Sequence, residues 1–156
     1  MIVVLLIAHG LLAVALLGAI THQALSVATI SPSTDSRWQF LARFRGVDST
    51  AYATPIVVLF TLTAMGGALL YPQYRTDVRP ALEDTQNVAA NGVFEIKEHV
   101  AAIGLGLLPV YWQYWRKPQG AGSIAARRGL TWLLAFFVWW SFIVGHVLNN
   151  IRGLLP

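Results

Sequence analysis

The sequence predicts an all-α membrane protein, a transmembrane four-helix bundle whose helices run up and down. Hydrophobic residues make up 56% of the 156 residues and charged residues only 12%, and the mean hydropathy is positive. A soluble domain of this length needs more polar cover. The apolar residues form four runs, and none of them alternates apolar and polar residues as a membrane-spanning strand does.

The four runs predict spans at about residues 2–28, 52–71, 93–115 and 129–150. Each is close to the ~20 residues that a helix needs to cross ~30 Å of hydrocarbon. We expect the first span to be retained, because no basic segment precedes it and it is longer than the ~7 to 15 apolar residues of a signal peptide. The connections are too short to fold alone, so residues 1–156 are predicted to form one integral membrane domain.

Basic residues in the connections predict the orientation. The connections after the first and third spans contain seven Lys or Arg residues, whereas four lie at the opposite ends of the spans. The positive-inside rule then places both termini on the periplasmic side of a bacterial inner membrane. The net charge of +4 follows from this topology and from anionic lipid, so it gives no reason to invoke nucleic acid. The chain contains no cysteine, which excludes disulfides, thiolate metal sites and covalently attached haem.

Three of the four histidines lie in different spans at about the same predicted depth. These are His9, His99 and His146, and ionisable groups inside spans are functional candidates by default. His22 is excluded from the set, because thirteen residues of helix place it roughly 20 Å deeper than His9 and about 140° around the axis.

Small residues suggest room for a bulky ligand near these histidines. On the third span, the face of His99, Ala102, Ile103, Gly106 and Val110 is mostly small beneath its histidine, so we expect it to point inward and to leave room for a bulky ligand. On the fourth span, Phe136, Trp139 and Phe142 form a face that would line a flat ring. The same small residues are also typical of close helix packing.

Haem b is the cofactor that this pattern favours, held as a single group by two of the three histidines. His9 with His99, or His9 with His146, would supply the two ligands. The third histidine, together with Arg152 or Lys97, would meet the haem propionates or a quinone. A single haem is the limit, because His22 alone cannot form a second pair.

A metal-ion site is the first alternative. Glu95 and His99 are four residues apart on one helix face, and with His9 and His146 they would suit copper or non-haem iron. The second alternative is a non-redox accessory subunit, whose aromatic fourth span would face lipid or a partner.

At the level of architecture, the chain resembles the small membrane-bound b-type cytochromes (cytochrome b561-like), and more faintly the four-helix copper-resistance membrane proteins. His9, His99 and His146 carry this resemblance, without a diagnostic motif. It implies a non-catalytic subunit of a respiratory or other electron-transfer complex, with membrane subunits, lipid, and a quinone or periplasmic cytochrome as partners. Di-haem members of that group need two ligand pairs, which this sequence lacks.

Overall fold

The structure, a computed structural model, describes residues 2–28, 48–117 and 121–151. Within these ranges all regular secondary structure is helical. The helices are α1 (Ile2–Ser26), α2 (Ala53–Gln73), α3 (Arg79–Asp84), α4 (Val88–Arg116) and α5 (Ala121–Ile151). A short 3₁₀ turn, Ser49–Tyr52, leads into α2. The all-α prediction is therefore confirmed for the described residues.

The four predicted spans coincide with α1, α2, α4 and α5, but two of the helices are longer than their apolar runs. Helix α4 begins at Val88 and α5 at Ala121, because helical hydrogen bonding continues through the polar residues that flank each run. By length and composition, three helical stretches are long and apolar enough to cross a membrane: Ile2–Ser26, Ser49–Asp84 and Ser123–Ile151. Helix α4 is not among them, since charged residues lie in its first half and Tyr, Trp, Gln and Arg residues occupy its last two turns.

Helix α2 continues into α3 through a π-helical segment, Tyr74–Val78, which the sequence pattern does not predict. Pro80 follows this segment and has no N–H to donate to the carbonyl of Thr76. The preceding turn is wider, and the Arg79 N–H bonds the carbonyl of Tyr74, five residues earlier. The helical chain thereby continues to Asp84 despite the proline.

The turn between α3 and α4 closes with a Schellman arrangement. Gln86 has a positive φ of 59°, its N–H bonds the Glu83 carbonyl, and the Asn87 N–H bonds the Leu82 carbonyl at 2.8 Å. These two bonds satisfy carbonyls that the end of α3 would leave free. The turn therefore reverses the chain within three residues and starts α4 beside α3.

The four long helices pack in a ring. Helix α1 packs on α2 and α5, and α4 packs on α2 and α5. The main core lies between them and consists of buried apolar residues from all four helices, among them Ile20, Ile56, Leu108 and Leu134. A second, smaller cluster joins α3 to α4 and comprises Tyr74, Val78, Leu82 and Ala90, with Phe94 and Leu148 packed against it. In this ring α1 and α4 are diagonal to each other.

Candidate functional site

His9 of α1 packs against α2 at two glycines, Gly66 and Gly67, which have no side chains. A Cβ atom built on Gly66 would lie 3.1 Å from Nδ1 of His9, and one on Gly67 would lie 3.5 Å from its Cε1. The ring is half-buried. Its Nδ1 is buried and makes no hydrogen bond of normal geometry among the described residues, although the Thr63 backbone lies close enough to stabilise the charged ring. A buried polar atom of this kind is usually satisfied by a ligand, an ion or ordered water.

Two charged side chains of α4 lie near His9. Lys97 and Glu98 both act on the histidine electrostatically, and they form an ion pair with Nζ and Oε1 2.7 Å apart. Their side chains are only 16% and 35% exposed. Since burial strengthens Coulomb interactions, these two charges stabilise each other where water is partly excluded. We refer to His9, Lys97 and Glu98 as the His9 cluster.

Aromatic residues join the His9 cluster to the small α3–α4 core. Lys97 Nζ lies 4.7 Å from the centre of the Phe94 ring, within the range of a cation–π interaction. The Phe94 ring stacks on Tyr74, whose hydroxyl donates a 2.9 Å hydrogen bond to Oδ1 of buried Asn91. These contacts hold Lys97 in place, with its ammonium group paired with the Glu98 carboxylate.

The other predicted ligands point elsewhere. His99 is exposed, and its Nδ1 lies 2.7 Å from the Glu95 carbonyl of its own helix. The Glu95 carboxylate is also exposed and faces Arg79 at 3.4 Å. His146 is exposed and stacks on Phe142. Arg152 lies outside the described residues. In the part of the chain that the structure describes, no three His, Asp or Glu residues are grouped closely enough to hold a metal ion.

The predicted inward face of α4 is in fact its outward face. Ile103 and Val110 are 56% and 43% exposed, whereas Gly104 and Leu108 are buried. Successive helix positions differ by about 100°, so this rotation turns His99 outward and brings Lys97 inward. On α5, Phe136 and Trp139 are likewise exposed, so they do not line an internal cavity. The prediction for these two faces was wrong.

Glu98 is a functional candidate that the sequence pattern does not single out. In the sequence it is only a neighbour of His99, yet the structure pairs it with Lys97 beside His9. Lys97 lies seven residues before buried Gly104, which places the two within about 20° of each other around the helix, whereas Glu98 is about 100° away from Lys97. Glu98 therefore lies at the edge of the core side, with its side chain 35% exposed. Gly104, as a packing glycine, is the signal in the sequence that could have identified Lys97, and Glu98 is identified only by its ion pair with Lys97.

A second polar group lies at the opposite end of the bundle. Gln23 is completely buried, accepts a hydrogen bond from the Tyr111 hydroxyl and donates one of 2.9 Å to the Ser49 carbonyl. His22 stacks on Tyr52 at 4.7 Å. Because Tyr52 precedes α2 and Gly66 lies far along it, His22 is at the other end of the molecule from His9. Its exclusion from the His9 site agrees with this geometry.

Comparisons of the chain with protein-family models, with curated proteins and with solved structures found no match. The geometry of the His9 cluster and of the opposite polar end is therefore the basis for assigning a function.

Proposed function

We propose that the chain is a four-span integral membrane protein of a bacterial-type inner membrane, with both termini on the periplasmic side. Three helical stretches suit a membrane by length and composition. The ring of contacts supports α4 as the fourth span, because it packs along both α2 and α5. Its charged residues lie towards its N-terminal end, where headgroups and water would reach them.

We place the functional site at the end of the bundle that contains the His9 cluster. Between this cluster and buried Gln23 lie the apolar core residues Leu16, Phe60 and Leu108, and the buried polar atoms of that region are isolated ones, such as Thr63 Oγ1 and Trp140 Nε1. A proton or ion path through the bundle would need polar groups there. The arrangement therefore favours a site open to one side of the membrane over a transport pathway.

We propose that the protein is a subunit of a membrane electron-transfer assembly, with His9 as its ligand-binding residue. The observation that carries this proposal is the buried Nδ1 of His9, which has no hydrogen-bond partner in the described part of the chain. An imidazole in this state is suited to coordinate iron or another metal, or to hydrogen-bond a quinone-type headgroup. Lys97 would meet an acidic or carbonyl group of the same ligand.

Haem b held by two histidines of one chain does not fit the described side chains. Of the three predicted ligands, His9 is half-buried and lies at an interhelical position, whereas His99 and His146 are exposed. No pair of described histidines faces a common enclosed gap. We therefore derive no electron-transfer step through iron and name no second axial ligand.

A reduced-minus-oxidised spectrum of the full chain, purified in mild detergent from its native membrane, tests the redox assignment. We expect any b-type absorbance of the preparation to depend on His9 and to be lost in His9→Ala. His22→Ala is the matched control and should leave the spectrum intact, because His22 lies at the other end of the bundle. His99→Ala and His146→Ala should also leave it intact, because both side chains are exposed and point away from His9.

Two other results from the same preparation would change the proposed function. Stoichiometric copper or iron without porphyrin would replace haem with an ion site. A preparation with neither haem nor metal would remove the redox role and favour a non-redox accessory subunit. The latter candidate has its own support, because Trp132, Phe136 and Trp139 of α5 are each more than 40% exposed and offer a broad aromatic surface to lipid or a neighbouring subunit.

A further inference from the structure

A cleft of about 520 Å³ lies at the end of the bundle opposite the His9 cluster. It is formed where the end of α1, the 3₁₀ turn before α2, the end of α4 and the start of α5 meet. Its lining includes Asp48, Trp115, Ile124, Arg127 and Arg128. The cleft takes no part in the proposed redox site, and a role for it requires only that the protein lies in a membrane.

Arg127 is held at the wall of the cleft in a defined position. Its guanidinium lies 4.7 Å from the centre of the Trp115 ring, and Trp115 is fixed in turn because its Nε1 donates a 3.1 Å hydrogen bond to buried Thr131. The Thr131 hydroxyl donates to the Arg127 carbonyl at 2.8 Å. Side chain and backbone of Arg127 are thus tied to the same small network.

The guanidinium of Arg127 retains binding capacity. Its Nε is buried and has no hydrogen-bond partner among the residues that the structure describes. A guanidinium offers five N–H donors in a planar fork that matches the oxygens of a phosphate or carboxylate. A buried donor of this kind is costly to leave unsatisfied. A ligand with anionic oxygens would satisfy it.

The charges around the cleft favour an anion. Arg127 and Arg128 both line it. Asp48 is the acid in its wall, and one of its carboxylate oxygens accepts a 2.9 Å hydrogen bond from the Thr50 N–H, where it caps the 3₁₀ turn.

A second arginine of the chain stacks on a tryptophan without forming such a site. Arg116 lies 4.8 Å from the centre of the Trp112 ring, nearly the same geometry as Arg127 on Trp115. However, Arg116 is exposed and does not line the cleft. Stacking on tryptophan is therefore common to both residues, whereas the cleft and the unsatisfied Nε belong to Arg127.

We propose that this cleft binds a phosphate group, with Arg127 as its principal ligand. At the end of a membrane helix bundle that is rich in basic residues, the phosphate would come from the headgroup of an anionic phospholipid. Free inorganic phosphate offers the same chemistry, and the test distinguishes the two sources.

Native mass spectrometry of the purified full chain, titrated with phosphatidylglycerol or phosphatidylcholine, measures the binding. We expect saturable binding that is stronger for phosphatidylglycerol, and we expect Arg127→Gln to weaken it roughly tenfold. Arg116→Ala is the matched control, because it removes an arginine of the same end and the same stacking geometry from outside the cleft. It should change the affinity by less than about twofold.

A second variant tests the proposal independently, in case Arg127→Gln does not fold. Ile124 lines the cleft and is 44% exposed, so Ile124→Glu adds a negative charge without removing a packed group. It should weaken phosphatidylglycerol binding by a similar factor. Equal binding by wild type, Arg127→Gln and Ile124→Glu would overturn the proposal.

Titration with inorganic phosphate identifies the source of the group. Displacement of bound phosphatidylglycerol by phosphate supports a site for the phosphate of a lipid headgroup. Saturable binding of inorganic phosphate that depends on Arg127, without binding of phosphatidylglycerol, supports the phosphate site but assigns it to a soluble ligand. Affinities for the two phospholipids that are equal and fall equally in Arg116→Ala would indicate diffuse attraction and would overturn the site.

Discussion

At the residue scale, glycines that look equivalent in the sequence have different roles. A Cβ atom on Gly104 of α4 would lie 2.5 Å from Cζ of Phe60 on α2, whereas one on Gly106 would have no heavy atom within 4 Å. Gly10 and Gly145 likewise have open space around them. Only close approach of another helix makes the missing side chain necessary. Gly66 is the second such position, since its space holds the ring of His9.

We expect Gly104→Ala to lower the free energy of unfolding by about 1 to 3 kcal/mol, because the added methyl group would displace the Phe60 ring from a packed core. Gly106→Ala is the matched control and should leave stability unchanged or raise it by up to about 1 kcal/mol. Denaturation in mixed detergent micelles, followed by circular dichroism, measures both. In the Gly104→Ala background, Phe60→Leu should restore part of the loss. Equal stabilities of the two alanine variants would show that α2 and α4 do not approach closely at this point.

Polar residues at the residue scale also specify how the helices meet. Gln23 and Tyr111 are 88 positions apart in sequence, yet they are bonded to each other in the core and both are fully buried. A buried amide and a buried phenol are costly unless they find partners. Sequence alone marks neither residue as special, because a glutamine and a tyrosine near the ends of spans are ordinary at a membrane boundary.

At the element scale, α1 is held unevenly along its length. Its buried residues are Leu16, Ile20, Gln23, Ala24 and Ser26, and none of its described residues before Leu16 is buried. The half of α1 that follows Leu16 therefore anchors the helix in the bundle. Near that half, Nε1 of Trp139 on α5 donates a 2.9 Å hydrogen bond to the hydroxyl of Thr21. This bond links two helices that are far apart in sequence.

We expect a double-mutant cycle of Thr21→Val and Trp139→Phe to give a coupling energy of about 0.6 kcal/mol, and at most about 1.7 kcal/mol, the range found for hydrogen bonds between membrane helices. Thr61→Val serves as the control, since the Thr61 hydroxyl bonds the Val57 carbonyl of its own helix. Its effect combined with Trp139→Phe should be additive. Detergent denaturation followed by circular dichroism supplies the four stabilities. A cycle with no coupling would mean that the two helices are held by packing alone.

The faces of α4 show where element-level prediction failed. His99 and Lys97 are two residues apart, which is about 200° on a helix, so only one of them can face the core. Histidine is the better metal ligand, so the sequence favours His99, yet the structure turns Lys97 inward. In a soluble helix the apolar stripe would have decided the matter. In α4, apolar residues occupy both the packed face, as Leu108 does, and the exposed face, as Ile103 and Val110 do, so the pattern does not distinguish the two faces.

At the scale of the whole molecule, polar groups lie at both ends of the bundle and an apolar core lies between them. The His9 cluster and the Arg127 cleft are formed at opposite ends, and Leu16, Phe60 and Leu108 belong to the core between them. If all four long helices cross the membrane, these two sites serve opposite faces of it. The turn at Gln86 and the start of α5 near Ile124 would then also lie on opposite sides.

The absence of cysteine from the chain permits a direct test of this topology. We expect Gln86→Cys to react with a membrane-impermeant maleimide in spheroplasts, because it lies in the exposed turn on the proposed periplasmic side. Ile124→Cys should react only after the membrane is permeabilised. Labelling of both positions from the same side would show that α4 does not cross the membrane. Labelling in the reverse order would keep four spans and invert the orientation.

Composition and the lengths of the apolar runs were enough to predict an all-helical chain with four long helices near residues 2–28, 52–71, 93–115 and 129–150. They also placed His9 and His22 at different ends of the first helix. Length and hydropathy are sums over many residues, so predictions based on them do not require knowledge of any contact. Tertiary structure alone determined that His9 meets Gly66, that Lys97 turns inward and pairs with Glu98, and that Trp115 and Arg127 share a cleft. These contacts depend on the rotation of each helix about its axis. Close contacts such as Phe60 against Gly104 fix that rotation, whereas the pattern of a continuous apolar segment does not specify it.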